Sequence, residues 1–287
     1  MTRSPLLLIA LLVAALVPAS ASAAPGGETR TGTSPAGEVK AELTWDKTGD
    51  FEFRDVRIKI TRGGAVLHDA IVPAPCTECP TIPQGYGDSE VPATTVRDLD
   101  GNGEPEVLID LYTGGAHCCS YTQIYSFDAQ PAPGAYRRTK GSWGDFGYEL
   151  RDLDKDGRPE FRSSDFRFAG AFTAYAASGA PPMILRFGDR KLKNATKQYK
   201  GEIKKNLKQY VALYKEFRKD PDTPEVRGFL AAYTADKLLL GQKSTAFDLV
   251  YAAYRRGELK PLEGDTSPSG KRYIAELRKF LRKWGYL

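Results

Sequence analysis

Two stretches of this chain space oxygen-bearing side chains as a cation-holding loop requires. The first is Asp98-Leu99-Asp100-Gly101-Asn102-Gly103-Glu104-Pro105-Glu106, and the second is Asp152-Leu153-Asp154-Lys155-Asp156-Gly157-Arg158-Pro159-Glu160. They lie 54 residues apart and align without a gap from Arg97/Arg151 to Glu106/Glu160. In both copies, positions 1, 3, 5 and 9 carry carboxylate or amide oxygens and position 6 is Gly. A hard cation such as Ca2+ takes six to eight oxygens at about 2.3–2.6 Å. Alternating side chains converge on such an ion only where the loop turns sharply, and the Gly permits that turn. Position 7, Glu104 or Arg158, would offer a backbone carbonyl, so its side chain is free to be acidic in one copy and basic in the other.

An EF-hand is excluded, because it needs a bidentate Glu at position 12 and flanking helices. Position 12 is Ile109 in the first copy and Ser163 in the second, and Pro105 or Pro159 stands at position 8. The Glu at position 9 closes the loop early, directly before an apolar run such as Val107–Leu111. Over residues 91–170 this pattern resembles the FG-GAP/VCBS repeats of integrin alpha-subunit propellers and of many secreted bacterial proteins. The resemblance implies two Ca2+ ions. Asp98, Asp100, Asn102, the Glu104 carbonyl and Glu106 would hold one; Asp152, Asp154, Asp156, the Arg158 carbonyl and Glu160 would hold the other. Two such repeats are too few for a closed propeller of four to eight blades.

Four cysteines form a second chemical cluster: Cys76 and Cys79 in a Pro-rich loop, and Cys118-Cys119 behind Gly114-Gly115-Ala116-His117. Disulfides, a zinc site of the C-x-x-C plus H-C-C type and a redox C-x-x-C all use these residue types. Export favours disulfides, and a vicinal bridge is strained. The expectation is therefore a loop stapled to the Cys118-Cys119 turn by two cross-links. No catalytic constellation emerges: there is no G-x-S-x-G, H-E-x-x-H or phosphate-binding glycine loop, and the two histidines are His68 and His117. A His117–Cys118 thiol nucleophile conflicts with the disulfide reading.

Residues 1–23 have the order of a signal peptide: Arg3, the apolar run Leu6–Val17, then Ala21-Ser22-Ala23. This implies a secreted chain with no transmembrane segment once processed. Residues 24–37 read as a flexible leader. From Glu38 to Val72 the period is two. Val39, Ala41, Leu43 and Trp45 make one strand, while Phe51, Phe53, Val56, Ile58 and Ile60 make another with a slip suggesting a bulge. Ala65–Val72 completes a meander that leads into the two repeats.

From residue 190 the apolar spacing turns helical, through Leu192, Ala195, Tyr199, Ile203 and Leu207. Thr223-Pro224-Glu225 and Gly241 bracket a second helix, Thr245 with Asp248 and Gly257 a third, and Ser269–Trp284 a fourth. Net charge splits with this change: residues 189–287 hold 23 Lys/Arg against 12 Asp/Glu, although the whole chain is only +5. The expected architecture is α+β, with a β domain over 38–188 carrying two blade-like calcium repeats and a basic α-helical domain over 189–287. The expected function is a secreted calcium-binding protein with a binding or structural role at the cell envelope; an exported hydrolase using the repeats as a scaffold is the alternative. The basic patches Lys204, Lys205, Lys208 and Arg278, Lys279, Arg282, Lys283 would suit an anionic envelope polymer or another protein, and export argues against nucleic acid.

Overall fold

A computed structural model describes residues 27–33, 37–84, 94–220, 225–260, 264 and 266–287. The signal peptide and the Thr223-Pro224 helix start fall outside them. The architecture is α+β: three antiparallel sheets followed by helices.

The first sheet is a meander of β1 (Gly27–Thr33), β2 (Val39–Lys47), β3 (Phe53–Arg62) and β4 (Ala65–Ile71). Residues read as flexible leader thus form β1, paired along its length with β2. The leader has no apolar alternation to announce a strand; what recruits it is the open backbone edge of β2. The expected bulge is present. Thr44 faces Arg57 and Asp46 faces Arg54, so Trp45 stands opposite both Asp55 and Val56, with Asp55 at φ 50°.

The second sheet orders β5 (Ile82–Pro83), β7 (Glu106–Gly115), β8 (Cys118–Asp128) and β9 (Ala135–Gly144), with β6 (Thr94–Arg97) also on β7. The third is β10 (Glu149–Arg151), β11 (Glu160–Ser164), β12 (Pro182–Gly188) and β13 (Lys191–Asn194). Alternation along β7 decides the layering. Val107, Ile109 and Leu111 face the first sheet and pack with Val39, Leu43, Trp45, Ile58 and Ile60. Leu108 points the other way, joining Ile124, Trp143, Phe161 and Phe187 in a core shared with the third sheet. The second sheet is therefore the middle layer of three, and the two repeats stack face to face instead of sitting side by side in a ring.

Among the described residues four α-helices follow: α1 (Lys200–Phe217), α2 (Arg227–Leu239), α3 (Asp248–Arg255) and α4 (Gly270–Lys283). The helical pattern read from residue 190 begins later than expected. Leu192 belongs to the hairpin β12–β13 and packs in the core between the second and third sheets, so the charge break near residue 189 lies inside a sheet. The expected Thr245/Asp248 capping box is also absent. Phe247 is the N-cap of α3, and the Thr245 hydroxyl instead donates to the Gln242 carbonyl and accepts from Lys237. The glycine stops hold: Gly241 and Gly257 adopt φ of 77° and 73°, and the following amides reach back to Lys237 and Ala253.

The helices dock on the segment between β11 and β12. Phe168 and Phe172 enter the helical core, with Phe168 4.9 Å from Phe280 and Phe172 5.6 Å from Tyr273 between ring centroids. Inside that core Arg227 is fully buried and held by Glu225 and by the carbonyls of Ser267 and Pro268. Burying this charge is tolerable only because it is paired and hydrogen-bonded.

Candidate metal centre

Each aspartate-rich loop joins the first and second strands of a four-stranded meander: β6 to β7 in one repeat, β10 to β11 in the other. The equivalence extends to individual hydrogen bonds. The position-6 amide (Gly103, Gly157) donates to the position-1 aspartate at 2.9 and 3.0 Å. The position-7 amide (Glu104, Arg158) donates to the position-5 side chain at 2.7 and 2.9 Å. The position-2 amide (Leu99, Leu153) donates to the position-9 glutamate at 3.0 and 2.8 Å. Gly103 and Gly157 take φ of 85° and 89°, the left-handed turn that lets the loop fold back on its own carboxylates. The position-7 side chains differ: Glu104 turns away to form a bidentate pair with Arg62, whereas Arg158 reaches back to pair with Asp156 of its own loop. The loops touch each other, since the Arg158 aliphatic stem lies 2.8 Å from where a Cβ on Gly101 would be.

The centres of the two loops differ. In the first, oxygens of Asp98, Asp100 and Glu106 lie within 4.8 Å of one another. Glu106 is buried, and burial pushes its carboxyl up to about 7, with Asp100 and Asp98 adding repulsion against the Leu99 hydrogen bond. Among the described residues, no Lys or Arg pairs with any of the three. Asn102 completes the side-chain donors, its oxygen already engaged by the Glu104 amide.

The second loop has an internal cation. Asp152, Asp154 and Asp156 form the matching cluster, but Arg186 from β12 reaches over it. Its guanidinium pairs with Asp154, with Asp156 at 3.2 Å and with the fully buried Glu160 at 3.0 Å. The Tyr199 hydroxyl accepts from the same guanidinium at 2.8 Å. Glu160 thus faces an arginine where its counterpart Glu106 faces two aspartates. Nothing in the loop sequences predicts this, because Arg186 lies 26 residues beyond Glu160 and reaches it only through the β11–β12 pairing.

The cysteines correct the expected cross-links. Cys76 bonds to Cys79, with Cα atoms 5.2 Å apart across a turn closed by the Cys79 amide on the Cys76 carbonyl. Cys119 is disulfide-bonded as well, so neither half of the C-x-x-C is left to staple the loop to the 118–119 turn or to hold zinc. The loop docks instead through hydrogen bonds: Gln123 donates to the Pro73 carbonyl at 2.8 Å and Lys140 to that of Pro75 at 3.4 Å. His117 packs against Tyr175, the ring centroids 4.4 Å apart and the planes tilted by 32°. Among the predicted basic residues Lys204, Lys205, Lys208, Lys279, Arg282 and Lys283 are exposed. Arg278 is structural: it lies 4.2 Å over the Phe247 ring and donates to Tyr251.

Comparison with known proteins bears on the helices through a family model and on a larger part of the chain through two relatives. A family model described as the sll0997 C-terminal domain matches residues 203–285, from within α1 to the end of α4. The chain is 28% identical over 218 residues to the probable thylakoid lumen protein sll0997 of Synechocystis, covering 67% of this chain and 60% of that protein. It is 28% identical over 198 residues to the uncharacterized protein y4bJ of Sinorhizobium fredii, covering 64% of this chain and 30% of that one. The chain therefore spans less than two thirds of the length of either relative. No solved structure matches. Among the described residues, no helix is long and apolar enough to cross a membrane.

Proposed function

We propose that this chain is an exported, calcium-stabilised binding module, with the 98–106 loop as its principal ion site. The carrying observation is the uncompensated acid cluster: Glu106 is buried against Asp98 and Asp100, with no described cationic side chain to neutralise it. Burying a carboxylate in that way is costly unless a cation joins it. The donor set is all oxygen, as a hard ion prefers, and the FG-GAP/VCBS-like pattern supports calcium. Asp98, Asp100, Asn102 and Glu106 would hold the ion through side chains and Glu104 through its carbonyl. The bound charge would lock the β6–β7 connection and, by binding the native state alone, stabilise the fold.

The 152–160 loop is a second, weaker site. Arg186 already supplies positive charge there, and an ion would have to displace it from Asp154, Asp156 and Glu160. Export rests on the signal-like residues 1–23 and on the lumenal location in the name of the Synechocystis relative.

Calorimetric titration of the chelator-stripped chain with Ca2+, alongside its melting curve, tests this reading. One clear binding event with a rise in Tm, abolished by Asp98→Ala, is the expected outcome. No heat and no shift in Tm would reduce both loops to turns.

A further inference from the structure

A different part of the repeats carries a second site. Between the middle and third sheets lies a cleft of about 360 Å³, large enough for a small ligand. Its polar groups are Asp110 from β7, Gln84, Thr95 and Ser120, and its apolar wall includes Trp143, Phe146 and Tyr148. Asp110 is held in place by a short network. Trp143 Nε1 donates to Thr122 Oγ1 at 2.8 Å, the Thr122 hydroxyl donates to Asp110 at 2.5 Å, and the Tyr148 hydroxyl donates to the same carboxyl at 3.0 Å. Burial pushes the Asp110 carboxyl up to about 6 against those two hydrogen bonds. A carboxylate offers about four acceptor positions, so this network leaves capacity for a ligand's donors.

The apolar wall is equally fixed. Tyr148 packs 4.6 Å from Trp143 and 4.9 Å from Phe161, while Phe146, 44% exposed, is braced edge-on by Phe166. The turn that presents Phe146 depends on Gly144, at φ 60°, where a Cβ would sit 2.0 Å from the Phe166 ring.

We propose that this cleft binds a neutral saccharide, with Asp110, Gln84 and Ser120 taking its hydroxyls and Phe146 and Tyr148 taking its C–H face. Among the described residues, the lining contains no Lys, Arg or His to neutralise an anionic ligand. A purely apolar ligand would strip water from the remaining acceptor positions of Asp110 and from the polar atoms of Gln84, Thr95 and Ser120 without replacing it. An organic cation would satisfy Asp110 but none of the three neutral polar groups. A ring with hydroxyls on its edge and C–H groups on its face satisfies both walls. This inference does not depend on calcium in either loop.

The test is titration of the full chain with glucose, galactose, N-acetylglucosamine and their disaccharides, followed by NMR and calorimetry. Glucuronate and tetramethylammonium serve as charged probes. The expected result is one-to-one binding of at least one neutral sugar. Asp110→Asn and Phe146→Ala should each weaken that binding by about tenfold, the loss of one good hydrogen bond or apolar contact. Phe146→Ala alters an exposed ring, so it tests the site without threatening the core. The proposal is overturned if no neutral sugar binds at millimolar concentration, if Phe146→Ala binds as well as the parent, or if either charged probe binds in preference.

Discussion

Asp236 sits in the last turn of α2 and has no access to solvent. Asn206 donates to its Oδ2 at 2.9 Å, while its Oδ1 has no hydrogen-bond partner. Burial raises its carboxyl from 3.8 to about 8. Because the folded value lies above the unfolded one, the native state holds this proton more tightly. The contribution to stability is then complete below about pH 4 and is lost as pH climbs toward 8. Each unit of displacement is worth about 1.4 kcal/mol, so about 4 kcal/mol has gone by pH 7. That is a large share of a typical domain's stability of about 5–15 kcal/mol. Asp236→Asn keeps the shape and the acceptor for Asn206 but removes the titration. Urea unfolding of parent and variant at each pH from 4 to 8 isolates the effect, because all other carboxyls cancel in the difference. The variant should gain on the parent by about 1.4 kcal/mol per pH unit between 5 and 7, any fixed packing cost appearing as a constant offset. A difference that stays flat across this range would refute the argument, showing that Asp236 ionises as it does in water.

Four further outcomes follow from the geometry. With calcium at about a hundred times its Kd, the parent should gain about 2.7 kcal/mol over chelator; Asp98→Ala should lose that gain in calorimetric melting and Asp152→Ala should retain most of it. Arg186→Gln should cost about 3 kcal/mol or more in chelator, because it strands the buried Glu160, and calcium should restore part of the loss; equal melting of parent and variant in both buffers would remove Arg186 from its role. Gly228→Ala should destabilise by about 1–3 kcal/mol or more in urea titration, since the added Cβ would lie 2.3 Å from the Ala177 carbonyl oxygen. Replacing both Cys76 and Cys79 by Ser should cost less than the roughly 3 kcal/mol expected for a 15-residue loop, because the bridge spans a separation of only three.

What could be read from sequence divides according to how far each interaction reaches along the chain. The alternation in β2 and the bulge beside Trp45 were legible, because a strand's burial pattern is written every second residue. So were the helix stops at Gly241 and Gly257, which depend on one left-handed residue each. β1 was not legible, since its pairing comes from the edge of β2 and not from its own side chains. The cleft over Asp110 was missed for a similar reason: Gln84, Asp110 and Phe146 are remote in sequence and meet only when the two repeats stack. One signal did exist. A single Asp inside the apolar run Val107–Leu111 puts a charge on the strand face that Leu108 buries, and such a residue marks a place where the sheet needs a carboxylate.

The twin loops carry this reasoning furthest. They share their turn, their donors and three equivalent hydrogen bonds, so local physics makes them the same object. Their difference comes from what tertiary structure places above them. Arg186 descends from β12 onto the second loop, while the corresponding position of the first is left to two aspartates and a buried glutamate. Position 4 also differs in its surroundings: a Cβ on Gly101 would meet the Arg158 stem at 2.8 Å, while the equivalent Lys155 keeps its side chain at a similar left-handed φ of 63°. A repeat that already carries its cation needs none from solution. With calcium at the proposed site, the two copies would divide the work, the second holding the stack together through Arg186 and the first making its stability respond to calcium.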